Sequence, residues 1–316
     1  MKKTKVLFFG TDEISFSALK ALIEQGYNIV GVVTRADTTK GRKQQVVFSP
    51  VKQLALAHKL NLFQPLKFTS EVVNEILATN PEVILTCSYG KIIPESIINF
   101  PKYKCINIHP SLLPKYRGAS PIQAAVMNND TVTGISFIYM TKELDNGPIL
   151  CQETINCDLN ETSSSLRIKV ANLIPIMIHK YFASFLTNNV KSIKQDETKA
   201  TYVGMIKRED EVIDWNKKAS EINAFVRALM NEPIAYSIIN NTPIKILKTE
   251  ITNIKTNDFV PGTIINLNKN GIFVATHDFA LVIKRLQLPG KKPIEVRDFI
   301  NGNRLIKLKD TFNLKN

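Results

Sequence analysis

Four short apolar runs set the frame of this chain: KVLFF at Lys5 to Phe9, NIVGVVT at Asn28 to Thr34, EVILT at Glu82 to Thr86, and INIH ending at His109. The first three are apolar along nearly their whole length rather than at alternate positions, which predicts strands buried on both faces. Segments with helix signals lie between the runs. One extends from Phe16 to Gln25 and stops at Gly26, one opens at Pro50 and reaches Lys59, and one is capped by Ser70 and ends near Thr79. Strand, helix and strand in succession predict an α/β domain with a mainly parallel, Rossmann-like sheet. The turn after the first strand holds Gly10 but lacks the further glycines of a pyrophosphate-binding loop, which removes the support for a dinucleotide cofactor.

With 316 residues there is room for a second domain, and the sequence changes character where one would begin. From Thr187 to Met205 it is polar and aperiodic. This reads as a linker over 189–206, between a catalytic domain at 1–188 and a smaller C-terminal domain at 207–316. Past Asp214 and Trp215 comes a helix from about Ala219 to Met230. Short strand-like runs follow at Ala235 to Ile239, Ile244 to Leu247, Gly262 to Leu267, Gly271 to Ala275 and Ala280 to Leu286, predicting a small β-barrel. Cys87, Cys105, Cys151 and Cys157 show no paired spacing and read as reduced thiols. His58, His109, His179 and His277 show no ligand spacing, so no metal is expected. With no apolar run approaching a membrane span and no signal segment behind MKKTK, the expectation is a cytoplasmic protein without a membrane partner.

The chemistry concentrates in KCINIHPSLLPKYRGASPIQ, Lys104 to Gln123. Side chains alternate along a strand, so Asn107 and His109 emerge on one face while Ile106 and Ile108 turn to the other. Pro110 ends the strand, and Pro114, Gly118 and Pro121 shape an ordered loop before a helix starting near Ser120. Open α/β sheets bind ligands at such carboxyl ends. A second segment, LDNGPIL at 144–150, adds the carboxylate of Asp145. Two polarising donors and a carboxylate, with no nucleophile elbow, suit the attack of an amine on a carbonyl. Asn107 and His109 would steady the oxyanion, and Asp145 would accept or relay the proton.

These two segments, together with SYGKIIP at Ser88 to Pro94, resemble the 10-formyltetrahydrofolate-dependent formyltransferases, and among them the members whose acceptor is methionyl-tRNA. The resemblance implies that Asn107, His109 and Asp145 are the catalytic set. It implies that Ser111, Leu112, Leu113 and Pro114, with Tyr89 and Gly90, line the pocket for 10-formyltetrahydrofolate and its product tetrahydrofolate. It further implies a Rossmann-like formyltransferase domain followed by an OB-like barrel, to whose pattern EVIDW, PGTI and LPGKKPIEVRDFINGNRL conform. Two places depart from that pattern: Gly10-Thr11-Asp12-Glu13-Ile14, where G-T-P-x-F is common, and RALMNEPIA from Arg227 to Ala235.

The formal net charge of +13 points to an anionic partner, although Lys- and Asn-rich composition also arises from an AT-rich genome. The last 36 residues hold 9 Lys and Arg against 3 Asp and Glu, which makes Lys284, Arg285, Lys291, Lys292 and Arg304 candidates for phosphate contacts. Arg42 and Lys43 join them. They lie in the polar loop RADTTKGRKQQVVF, where the resembled family places an insertion that reaches the acceptor arm of the tRNA. Initiator methionyl-tRNA is therefore the expected partner, and a monomer the expected state. A sugar-nucleotide formyltransferase, a hydrolase releasing formate, and a nucleic-acid-binding module on a degenerate α/β domain stay open as alternatives.

Overall fold

The computed structural model describes residues 3–40, 45–187, 190–231, 233–302 and 305–312. Its contacts divide the chain into two units. Met1–Pro121, Val132–Asn156 and Arg167–Val203 form the first; Ile122–Thr131, Cys157–Leu166 and Gly204–Asn316 form the second.

In chain order the elements up to the segment boundary are β1 (Lys5–Gly10), α1 (Glu13–Glu24), β2 (Asn28–Val33), β3 (Thr38–Lys40), β4 (Gln45–Val47), α2 (Pro50–Ala57), β5 (Leu62–Phe63), α3 (Ser70–Leu77), β6 (Val83–Cys87), α4 (Glu95–Ile98), β7 (Cys105–His109), β8 (Arg117–Gly118), α5 (Pro121–Met127), β9 (Val132–Tyr139), β10 (Ile149–Asn156), α6 (Ser163–Met177), α7 (Ala183–Phe185) and β11 (Tyr202–Val203). Seven of the strands form one sheet in the order β10-β9-β7-β6-β1-β2-β5. The five strands from β5 to β7 run parallel, and β9 and β10 add an antiparallel edge. The apolar runs behave as expected of parallel strands covered on both faces: Val6, Leu7, Phe8, Phe9, Val83, Ile84, Leu85 and Ile106 are all fully buried.

Two local differences from the sequence expectations have identifiable causes. Helix α1 starts at Glu13 rather than Phe16 because the Asp12 carboxylate caps it, accepting from Ser15 N at 3.0 Å. Asp12 stands at the proline of the common family pattern. Its other oxygen accepts from Arg167 Nη2 at 2.5 Å. The stretch 35–48, expected to be a loop, carries the antiparallel pair β3–β4. Thr38 faces Val47 and Thr39 faces Val46, β-branched residues that favour extended backbone.

The second unit contributes α8 (Ala219–Ala228), β12 (Tyr236–Ile239), β13 (Thr242–Lys255), β14 (Ile264–Asn268), β15 (Gly271–Val274), β16 (Phe279–Gln287), β17 (Ile294–Glu295) and α9 (Val296–Phe299). Its strands pair antiparallel in the order β12-β13-β16-β15-β14, with β17 beside β16. β13 is much longer than its apolar run Ile244 to Leu247, because its second half is polar and exposed and is held in register by β16 alone. The core gathers on Trp215. This residue is fully buried, stacks on Phe312 with ring centroids 5.2 Å apart, and donates its indole N–H to Ser237 Oγ at 2.9 Å.

Candidate active site

β7 lies between β6 and β9, and its carboxyl end presents Asn107 and His109. Asn107 is held by its cross-strand neighbour: Thr86 Oγ1 donates to Asn107 Oδ1 at 2.7 Å. With its oxygen turned to Thr86, the Asn107 amide presents its nitrogen outward, and its Nδ2 donates to Asp145 Oδ1 at 3.3 Å. His109 is 4 % exposed. Its Nδ1 lies 3.4 Å from Asp145 Oδ2, and its Nε2 lies 2.9 Å from the carbonyl oxygen of Tyr116. That same Oδ2 accepts from the backbone N–H of Gly118 at 2.9 Å. The three expected catalytic side chains, separated by up to 38 positions in the sequence, therefore meet around one carboxylate.

The loops that complete the site are built under conformational constraint. Ser88, Tyr116 and Asp145 are non-glycine residues with positive φ, at 45°, 63° and 50°. Such residues need surrounding contacts to hold them there. For Tyr116 the contact is Thr201, whose Oγ1 accepts from Tyr116 N at 2.8 Å. β8 pairs in parallel with β11, which brings Val203 against Gly118. At Gly118 φ is 115°, and a Cβ would sit 2.2 Å from Val203 O, so only glycine fits.

The turn from Ser111 to Pro114 is braced from the edge strands. Ser136 Oγ donates to Ser111 O at 2.6 Å and accepts from Leu113 N at 3.0 Å, while Gln152 Nε2 donates to Leu113 O at 2.9 Å. Ser111 and Leu113 are buried; Leu112 and Pro114 are half-buried. Tyr89 packs edge-on against Phe9 with centroids 5.2 Å apart. Its hydroxyl is buried and has no hydrogen-bond partner among the described residues, and burial pushes its pKa up to about 12, against the opposing pull of Arg35. Gly90 is exposed, and a Cβ built there would lie 3.6 Å from Arg35 Nη1.

Two residues at the site carried no sequence signal: Arg117 and Gln195. Arg117 is fully buried and donates to Gln195, Glu197 and Tyr202. The stretch 189–206, expected to be a linker, thus supplies partners to the Tyr116–Gly118 loop from residues 195–203. An isolated arginine beside a glycine and a glutamine in a polar run have no periodicity that would mark them as buried.

The candidate phosphate contacts fall into three groups. Arg42, Lys43 and Arg304 lie outside the described residues. Lys284 and Arg285 each have an acidic neighbour, Glu250 at 3.2 Å and Glu295 at 3.6 Å. Lys291 and Lys292 are exposed.

Comparison with known proteins fits this arrangement. Residues 2–182 match the family described as formyl transferase, and residues 205–304 match the formyl transferase C-terminal domain. A methionyl-tRNA formyltransferase of Malacoplasma penetrans is 40% identical over 97% of this chain and 96% of its own length. One from Legionella pneumophila strain Paris is 36% identical over 96% and 97%.

The chain belongs to the methionyl-tRNA formyltransferase family.

Solved structures share the family's fold. HypX from Aquifex aeolicus in complex with tetrahydrofolic acid superposes with a TM-score of 0.66 at 15% identity, covering 98% of this chain and 48% of that one. The N-formyltransferase from Helicobacter canadensis, with folinic acid and dTDP-3-aminofucose, gives 0.66 at 20% identity over 89% and 98%.

Proposed function

We infer that this chain transfers the formyl group of 10-formyltetrahydrofolate to the α-amine of initiator methionyl-tRNA. The observation that carries the reading is the Asp145 carboxylate held between Asn107 Nδ2 and His109 Nδ1, within a chain similar along its whole length to methionyl-tRNA formyltransferases. When bound, the folate supplies an activated formyl carbon. The buried, unpartnered hydroxyl of Tyr89 and the braced Ser111–Pro114 turn fit a folate bearing polar groups at its head, and they are the residues assigned to hold it.

The roles follow from what each group can do. Asn107 contributes amide N–H donors whose orientation Thr86 fixes, so they are in place for a developing oxyanion without reorganisation. His109 meets an acceptor-only carbonyl at Nε2, so that nitrogen carries a hydrogen. Its Nδ1 faces Asp145, and a proton placed there makes an imidazolium opposite a carboxylate. The pair is thus a reservoir from which a proton reaches the leaving nitrogen, while Asp145 receives the proton lost by the attacking amine.

The test is a formylation assay with purified protein, 10-formyltetrahydrofolate and charged initiator tRNA, with a sugar-nucleotide amine in parallel. Formyl-methionyl-tRNA as the product supports the reading. Formylation of the sugar alone, or formate release without an acceptor product, contradicts it.

A further inference from the structure

From residue 191 to residue 199 every position is exposed except Gln195, which is 4 % exposed. Its amide uses all of its hydrogen-bonding capacity. Nε2 donates to the carbonyl oxygens of Asp145 at 2.7 Å and Gly147 at 2.8 Å, and Oε1 accepts from Arg117 Nε at 3.0 Å and Nη2 at 2.9 Å. A primary amide has two N–H groups and two acceptor lone pairs, and here each has a partner.

The two sides of this amide lead to the same carboxylate. On one side the Asp145 and Gly147 carbonyls converge on a single nitrogen, which pins the turn that keeps Asp145 at φ 50°. On the other side, Arg117 precedes Gly118, whose N–H donates to Asp145 Oδ2. The backbone of Asp145 and the loop that binds its side chain are therefore referenced to one residue. We propose that Gln195 is a positioning residue for formyl transfer: it does not touch the reacting atoms, but it sets the orientation of Asp145 towards His109 and Asn107.

Arg117 shows why the residue has to be a glutamine. Its buried guanidinium needs an acceptor, and the turn carbonyls need a donor. Glutamate supplies the first and repels the second; methionine supplies neither. The two changes nearly keep the volume of the side chain and so separate geometry from packing.

The proposal rests on the formyl-transfer reading, so the test uses the full-length protein and begins by establishing wild-type turnover; without it, that reading fails before Gln195 is addressed. Steady-state kinetics are then measured for Gln195→Glu, Gln195→Met and, as a control, Asp196→Ala. Asp196 caps the neighbouring turn through Thr198 N and, among the described residues, makes no hydrogen bond or ion pair with Arg117 or the Asp145 turn. The expected result is a fall in kcat of about tenfold or more for both Gln195 variants, with KM for each substrate within about twofold of wild type, and wild-type kcat for Asp196→Ala. Wild-type kcat in Gln195→Glu overturns the proposal. So does an equal loss in Asp196→Ala, which would mean general loosening of the segment, and so does failure of both Gln195 variants to fold, which would make the residue structural.

Discussion

Asp145 Oδ2 lies 3.4 Å from His109 Nδ1, while the far nitrogen of that ring, Nε2, is 2.9 Å from the carbonyl oxygen of Tyr116. The imidazole is thus fixed between a group that can take a proton and one that cannot. Replacing the carboxylate by an amide keeps the shape and removes the proton acceptor. Asp145→Asn is therefore expected to lower kcat by about 10²-fold or more, with thermal stability close to wild type. Turnover near wild type would take Asp145 out of the proton transfer.

Gly118 makes a second, purely steric prediction. A Cβ there would stand 2.2 Å from Val203 O on a backbone with φ of 115°. Gly118→Ala must push β8 away from β11 and withdraw the N–H that holds Asp145 Oδ2. A loss of about 1–3 kcal/mol in unfolding free energy, from strain of this type, is expected together with reduced kcat. Chemical denaturation and kinetics measure both.

Tyr89 tests the folate pocket. A buried hydroxyl without a partner costs about 1–3 kcal/mol, so Tyr89→Phe is expected to stabilise the ligand-free protein by a measurable part of that. If the hydroxyl meets the folate, the same change weakens folate binding. Raised stability with unchanged folate affinity in calorimetric titration would remove Tyr89 from the pocket.

Glu197 predicts a pH dependence. Its hydrogen bonds from Arg117 hold its carboxyl below the usual range. A depressed native pKa adds stability that is present above the unfolded-state value and lost as pH falls through the native value. Wild type should therefore melt above Glu197→Gln at neutral pH, with the gap closing below about pH 4, the ordinary glutamate range. A gap that stays constant down to pH 3 would contradict this. Thermal melts across the pH series decide it.

The surface lysines differ in what they have to give up. Lys284 and Arg285 already face Glu250 and Glu295, whereas Lys291 and Lys292 are exposed on the turn after β16. Replacing both Lys291 and Lys292 by Ala should weaken tRNA binding at all salt concentrations tested and flatten its logarithmic salt dependence by roughly 2, if each contacts a phosphate. An unchanged slope would show that neither does.

The sequence was most legible where one residue's environment is set by its own neighbours. Continuous apolar runs marked β1, β2 and β6, and alternation in β7 put Asn107 and His109 on a common face. Asp145 became more than a turn residue only alongside them. The rest depended on partners far along the chain: Gln195 is buried because Arg117 needs an acceptor, and Arg117 because Gln195, Glu197 and Tyr202 surround it. Neither fact has a local period. Asp12 was legible in principle, since an Asp three residues before Ser15 and followed by Glu13 is an ordinary N-cap signal; a helix start read from apolar periodicity alone passed over it.

The most direct test of the central claim is single-turnover formylation of charged initiator tRNA by wild type and His109→Ala, with 10-formyltetrahydrofolate saturating. The account predicts formyl-methionyl-tRNA from the wild type and a rate at least about 10²-fold lower from the variant, with folate still bound. Equal rates would contradict the assignment of the Asn107–His109–Asp145 cluster as the active site.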